Sequence, residues 1–312
     1  MGKLMREMGL SYLLTAHTQD DQAETCLMRY DRHTGWRGAA GIARKVYAPV
    51  WPELACVTLC RPLLGCSRET LRDYNRAHDL NWLNDPSNDN RDFTRIRARD
   101  YLRERPILRR DLLKTAKDLR QGRDHEEVVF ADWLRTYATI YSGGYVRLKS
   151  IPTRALMSKI LCAMSGKAVA PSNEAMSRML EAIRRSDFKS RTLGGALVVK
   201  EGGEILIGCD PAEVKGRNAQ ASLAPICYPV GVHIWNGRYL VKNSKEVIIA
   251  PAKGYIGKLL DKRFSYLDNQ AFQTIPAAFR PCVPILLPVE GVDIGSISIE
   301  LLAYERLNLD RF

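Results

Sequence analysis

No apolar stretch in these 312 residues approaches the length of a bilayer span. Clean runs such as Pro284–Val289 stop after a few residues, whereas a membrane-crossing helix needs about 20. Cysteine is present, eight in all, but never as C-x-x-C. That spacing argues against a disulfide-stapled or zinc-clamped scaffold and for reduced, packed thiols in a cytosolic protein. Cys56 and Cys60 come nearest to a pattern, yet in an extended Ala55–Leu59 they would lie two pleats apart, too far to share a metal. Histidine is scarce, and His33, His78, His125 and His233 have no metal-ligand spacing. Internal repeats and low-complexity tracts are absent. A signal peptide is not expected either: Lys3 and Arg6 precede only the short run Leu10–Ala16, Glu7 interrupts the basic region, and polar His17–Asp21 follow where a small-residue cleavage site would be needed.

What is present is average for a folded chain, 46% apolar and 26% charged. The length exceeds what one core usually fills, so two or three domains are expected. The net charge of +12 is unevenly spread. Residues 1–90 balance eleven basic against eleven acidic side chains, whereas 91–123 hold twelve basic and five acidic. In that segment Arg95, Arg99 and Arg103 recur every fourth residue, which a helix would line up as a stripe able to follow a phosphate backbone. Arg97 and the cluster Arg109, Arg110, Lys114 and Lys117 favour nucleic acid over an ordinary solvated face tempered by Asp92, Asp100 and Glu104. Trp82 and Tyr101 near this stripe fit base stacking and core packing equally well.

Along the chain, residues 1–9 read as helix, Leu10–Ala16 as a buried strand, and Thr18–Arg32 as a helix with Ala23, Leu27 and Tyr30 on one side. Glycines at 35, 38 and 41 form a loop, Ala55–Leu59 is strand-like, and Ser67 is placed to cap a helix over Arg68–His78 with Glu69 in its first turn. Asn84–Asn90 is dense turn chemistry. Pro106 should close or kink the arginine helix, and Gln121-Gly122-Arg123 marks a boundary. Helices are expected over Glu126–Tyr141, Pro152–Met164 and Asn173–Arg185, with Tyr145–Lys149 extended and Ser142-Gly143-Gly144 as a helix C-cap and turn. Beyond Leu193 the pattern becomes strands: Ala196–Lys200, Glu204–Gly208, His233–Trp235, Tyr239–Lys242 and Val247–Ile249. Asn236-Gly237 is the clearest hairpin signal.

The chemistry-bearing residues gather at one junction. A helix from Thr18 sets Asp21 and Glu24 a turn apart on one face beside Asp20, with His17 between strand and helix. In an open parallel sheet, ligands bind beyond the carboxyl ends of the strands, where these residues would lie. Acids at a helix N-terminus also cap it and oppose its dipole, but three of them with a histidine exceed what capping requires.

The segment Leu14-Thr15-Ala16-His17-Thr18-Gln19-Asp20-Asp21-Gln22-Ala23-Glu24-Thr25, followed by Leu27-Met28-Arg29, resembles the A-H-H-x-D-D-x-x-E-T signature of the tRNA(Ile)-lysidine synthetases, a PP-loop ATP pyrophosphatase family. Further matches follow in order: Gly35–Gly41, Arg61-Pro62-Leu63-Leu64, Trp82 with Asp85-Pro86-Ser87-Asn88, then Arg95-Ile96-Arg97. The likeness covers residues 10–105 well, continues loosely to about 210 through Arg191-Thr192-Leu193-Gly194-Gly195, and is slight from there on.

The resemblance implies an ATP-dependent carbon–nitrogen ligase. In that family ATP, with Mg2+, adenylates the C2 oxygen of the wobble cytidine of an isoleucine tRNA with a CAU anticodon, and the side-chain amine of L-lysine displaces AMP. It further implies a cytoplasmic protein without membrane association, compatible with a homo-oligomer. On this chain it gives catalytic roles to His17, Asp21 and Glu24, with Asp21 and Glu24 as the lysine-ammonium pocket. Arg95, Arg97, Arg99 and Arg103 become phosphate or tRNA contacts, and no protein metal ligand is expected.

The fold so implied is an incomplete Rossmann-like, adenine nucleotide alpha hydrolase-like α/β part, then a helical module and a β-rich C-terminal region. Domain boundaries are expected at 1–122 (the latter portion of the PP-loop domain with basic helices), 123–190 (a helical tRNA-recognition-like module) and 191–312 (β-rich). Two departures from the family pattern stand out. His17-Thr18 replaces His-His, and the S-G-G-x-D-S pyrophosphate loop has no counterpart before Leu10. The expectation is therefore of a reading that starts late, at an internal methionine, or of a decayed gene, with an uncovered apolar sheet edge beside Leu10–Ala16. Two other classes compete: a non-catalytic RNA-binding remnant, and a tRNA thiolation relative, which the absence of cysteine pairs disfavours.

Overall fold

The computed structural model describes residues 1–32, 34–83, 92, 94–216, 223–253, 255, 267, 269–287 and 297–307. His33, the turn-rich 84–90 segment with its Asp85-Pro86-Ser87-Asn88 motif, and Arg91 lie outside the described residues. In chain order the elements are α1 (Gly2–Glu7), β1 (Tyr12–Leu14), α2 (Gln19–Asp31), α3 (Trp36–Ala39), β2 (Lys45–Tyr47), β3 (Thr58–Cys60), α4 (Arg68–Ala77), α5 (Thr94–Arg103) and α6 (Pro106–Tyr137). Then come β4 (Ala138–Tyr141), β5 (Tyr145–Leu148), α7 (Arg154–Ser165), α8 (Asn173–Arg184), β6 (Ser190–Leu193), β7 (Ala196–Glu201), β8 (Glu204–Cys209) and α9 (Pro211–Lys215). The last are β9 (Ile226–Tyr228), β10 (Gly231–Trp235), β11 (Tyr239–Asn243), β12 (Val247–Pro251), α10 (Asn269–Thr274), β13 (Pro284–Leu287), β14 (Ile297–Leu301) and α11 (Ala303–Arg306). The chain is thus α/β with a β-rich C-terminal region. No helix among the described residues is long and apolar enough to cross a membrane.

The described residues divide into two compact units. One comprises Leu10–Pro49 and Cys56–Val129; its sheet has the order β1-β3-β2, with β1 parallel and β2 antiparallel to β3. Its strands are three residues long, so much of the unit is joined by side chains. β1 differs from the buried strand expected of Leu10–Ala16. Among the described residues it pairs on one side only, and Tyr12 and Leu14 are 64% and 66% exposed. Helix α2 begins and ends close to expectation, but its buried residues are Gln22, Ala23, Glu24 and Cys26, while Tyr30 is exposed. Helix α4 is capped by Ser67, whose side chain accepts from the Thr70 amide, as its sequence suggested. Pro106 does not kink a helix; it is the first residue of α6, where the missing amide costs nothing. That helix runs unbroken through Gln121-Gly122-Arg123.

The other unit comprises Met1–Gly9, Val50–Ala55 and Phe130–Phe312. Its centre is a five-stranded antiparallel sheet, β4-β5-β8-β7-β6. Period-two alternation explains its two cores. Val146, Leu148, Ile205 and Ile207 point to a cluster with Leu156, Met157, Ile160 and Leu161 of α7 and Met176, Met179 and Ile183 of α8. Tyr145 and Leu206 point to the opposite cluster with Phe272, Phe279, Val283 and Ile285. Each fully buried aliphatic side chain there contributes about 1.5–3 kcal/mol. Ala138–Tyr141 is a strand rather than the end of a helix, and Ser142-Gly143-Gly144 turns a hairpin between β4 and β5 instead of capping a helix. Two three-stranded antiparallel sheets, β10-β11-β14 and β13-β12-β9, contribute Trp235, Tyr239 and Val241 from the first and Val247, Ile249 and Leu286 from the second to a third cluster. Asn236-Gly237 does form the β10–β11 turn. Both residues have positive φ and the Arg238 amide donates to Trp235 O at 3.1 Å, the type I′ geometry that Asn-Gly favours.

All eight cysteines are free thiols; Cys26, Cys162, Cys209 and Cys282 are buried, whereas Cys227 is exposed. Burial pushes the Cys26 and Cys162 thiols up, which keeps them unreactive.

Candidate functional site

Strand β1 leads through His17 into the N-terminus of α2, and a reciprocal cap fixes the junction. Thr18 Oγ1 and N both donate to Asp21 Oδ2 at 2.7 Å, and the Asp21 amide donates back to Thr18 Oγ1 at 3.5 Å. Asp20 serves two elements: its Oδ2 accepts from the Arg68 amide (2.8 Å) at the start of α4, and its Oδ1 from Arg109 Nη2 (3.0 Å) of α6. The third acid, Glu24, has a side chain only 2% exposed. Its Oε1 accepts from Arg99 Nε (2.8 Å) and Arg68 Nη1 (3.1 Å), and its Oε2 from Arg95 Nε (2.9 Å). Asp21 Oδ1 accepts from Arg68 Nη2 at 2.7 Å and lies 3.2 Å from Arg95 Nη2.

The helix spacing that put Asp21 and Glu24 on one face thus does so in space, and Arg68 bridges the pair. Arg68 is the residue that pattern reading missed. Its signal is a cation at the first position of a helix, where the macrodipole opposes it unless acids from elsewhere compensate.

The expected arginine stripe is divided. Arg95 and Arg99 turn onto Glu24, whereas Arg103 is 71% exposed and pairs with Asp100. Arg97 donates to Asp92 O and to Thr94 Oγ1.

A glycine-bearing loop is fastened to the same helix. Gln22 Oε1 accepts from the Ile42 amide at 2.7 Å, and Arg29 Nη1 donates to Gly38 O (3.0 Å) and Gly41 O (2.8 Å). Gly41 has φ +67°, and a Cβ there would collide with the Gln22 amide and lie 2.8 Å from Cys26 Sγ, so the position requires glycine.

Electrostatically, burial raises the Asp21 carboxyl, but the hydrogen bonds from Thr18 and the charges of Arg68 and Arg95 outweigh it and leave the pKa below the ordinary value. The His17 pKa is lowered by burial first and by the Arg61 charge second, with Nδ1 2.9 Å from Thr15 Oγ1. At neutral pH the ring is therefore uncharged and able to take a proton. Among the described residues, three carboxylates meet four guanidiniums, those of Arg68, Arg95, Arg99 and Arg109, an excess of one positive charge. That balance fits a ligand bearing phosphate. Among the described residues no three His, Cys, Asp or Glu side chains converge in metal-holding geometry.

The comparisons with known proteins agree with this arrangement of motifs. Residues 1–106 match the PP-loop domain family. This segment of the chain is similar to a PP-loop domain. Similarity also runs to proteins named tRNA(Ile)-lysidine synthase: 38% identity over 199 residues with that of Hyphomonas neptunium, covering 60% of this chain and 52% of the relative. With that of Ruegeria pomeroyi it is 31% over 242 residues (73% and 52%), and with that of Caulobacter vibrioides 28% over 305 residues (96% and 66%). The chain spans about half to two thirds of the length of these relatives. The matched segment contains the acid–arginine cluster except for Arg109, and the Caulobacter match carries the likeness through the β-rich region, where the motifs alone showed little.

Proposed function

We propose that this chain is the acid- and arginine-bearing portion of a ligase that joins lysine to the wobble cytidine of an isoleucine tRNA with a CAU anticodon, using ATP. The observation that supports this best is the Asp20–Asp21–Glu24 triad with its arginines, within a PP-loop domain whose relatives bear the lysidine synthase name. ATP would supply the adenylate leaving group on the C2 oxygen of the cytidine, its α–β phosphoanhydride bond breaking to release pyrophosphate. Arg95, with 41% of its side chain exposed, and Arg97 are the residues to meet phosphate.

Lysine must be held as an ammonium and lose a proton before its amine attacks C2 and AMP departs. Asp21 is the acid suited to hold it: it is ionised at any working pH, more accessible than Glu24, and its partner Arg95 is exposed enough to exchange with an incoming ammonium. His17, neutral and at the junction, accepts the proton. The unit that holds Phe130–Phe312 would take part in tRNA recognition.

The test is AMP release by the full-length protein with the CAU tRNA transcript and ATP, with and without lysine. Lysine-dependent AMP is expected, and an RNA-binding protein without catalysis would give none. Asp21→Asn should raise the KM for lysine by about tenfold or more, as expected for loss of a charge-assisted contact. Unchanged lysine transfer in that variant would remove Asp21 from the pocket.

A further inference from the structure

Glu24 takes its three arginines in a particular way. Arg95 and Arg99 each reach it through Nε, and Arg68 through Nη1. A guanidinium is a rigid planar fork of five N–H donors, so a grip at Nε fixes the plane and leaves terminal amino groups for other acceptors. Arg95 uses one of these, Nη2, on Asp21; its Nη1 belongs to a side chain 41% exposed, and Arg99 is 25% exposed, against 2% for Glu24. The acid is at the buried end and the guanidiniums extend toward solvent. An ammonium arriving at Glu24 would have to expel three cations from a buried carboxylate, whereas an anion would meet a rim already carrying excess positive charge.

We propose that Glu24 is a positioning residue that holds Arg95 and Arg99 by their Nε edges so that their terminal amino groups grip a phosphate oxygen of the substrate, and that it does not receive the lysine ammonium. The reading rests on the proposed ligase function for its place in a reaction, but not for the contact itself. Phosphate oxygens come from two sources, the nucleotide and the RNA backbone.

The experiment measures equilibrium binding of ATP, of a labelled anticodon stem-loop RNA and of lysine to the full chain, for the wild type and for Glu24→Gln, Glu24→Asp and Arg99→Lys. Circular dichroism checks the fold of each. Glu24→Gln is expected to weaken one anionic probe by about tenfold, the loss of one charge-assisted contact, with lysine affinity unchanged. Glu24→Asp should restore part of the loss. Arg99→Lys, which keeps the charge but loses the Nε contact, should weaken the same probe and decides the matter if Glu24→Gln does not fold. A loss confined to ATP assigns the nucleotide. A loss confined to RNA, with the log–log salt slope smaller by about one, assigns the backbone.

Weaker lysine binding with both anions unaffected would overturn the proposal, as would folded variants that bind all three as the wild type does, or a wild type that binds neither anion. A wild type that binds them but releases no AMP would overturn the ligase reading alone.

Discussion

The two units are stabilised by different means. The unit with β1–β3 has three-residue strands and a helix whose buried face includes Gln22 and Glu24, with Thr18 at its cap also buried, so its parts are joined by directed hydrogen bonds and ion pairs. The unit with the five-stranded sheet buries two continuous apolar faces. The first arrangement depends on every partner being present, because a buried charge that loses its partner is costly. The second depends on volume and shape, and fails locally when a side chain is removed.

That contrast can be broken from either side. The largest effect expected is in the apolar unit: Ile160→Ala, at a fully buried position, should cost about 4 kcal/mol, read as lost hydrogen-exchange protection in α7. Glu24→Ala should cost about 3 kcal/mol, read as lost protection in α2, because three guanidiniums lose their acceptor at once. Gly41→Ala should cost about 2 kcal/mol in the same unit through its positive φ and the crowding against Gln22.

Acid should act with the same selectivity. The Asp21 pKa is lowered on folding, so its contribution is whole above the unfolded value of 3.8 and fades as pH falls through the lower folded value. The His17 pKa is lowered too, so below pH 6.5 the unfolded state takes up the proton first and stability declines with falling pH. Protection of α2 amides is expected to decline from about pH 6.5 downward, with a second loss below pH 4; a pH-independent profile would contradict both assignments. The smallest effect should be Arg110→Ala, whose pair with Asp111 is solvent-exposed and worth less than about 0.5 kcal/mol in a urea melt.

Legibility in the sequence followed the range of the interactions. Features set by neighbours were readable: the Ser67 cap, the Asn236-Gly237 turn, strands β7 and β8, and the placing of Asp21 and Glu24 on one face. The partners of Glu24 were not, since Arg68, Arg95 and Arg99 lie 44 to 75 residues away and helical spacing alone made Arg95, Arg99 and Arg103 one stripe. Ala138–Tyr141 follows a long helical run and so resembles its continuation, although Thr139 and Ile140 are β-branched residues that favour a strand. Tyr30 and Leu27 continue an apolar period on α2, but the unit buries its hydrogen-bonding face there instead.

The burial of Trp235 in the apolar unit has a consequence for observing the molecule. Trp235 is wholly enclosed, Trp51 nearly so and Trp133 partly, while Trp36 and Trp82 in the other unit are 45% and 39% exposed. The indole emission of the two units should therefore differ in colour, blue from the first and red from the second. Exposure of Trp235 shifts the spectrum strongly and the opening of the polar unit hardly at all. A fluorescence melt then reports the apolar unit almost alone, and the polar unit needs a reporter of its own.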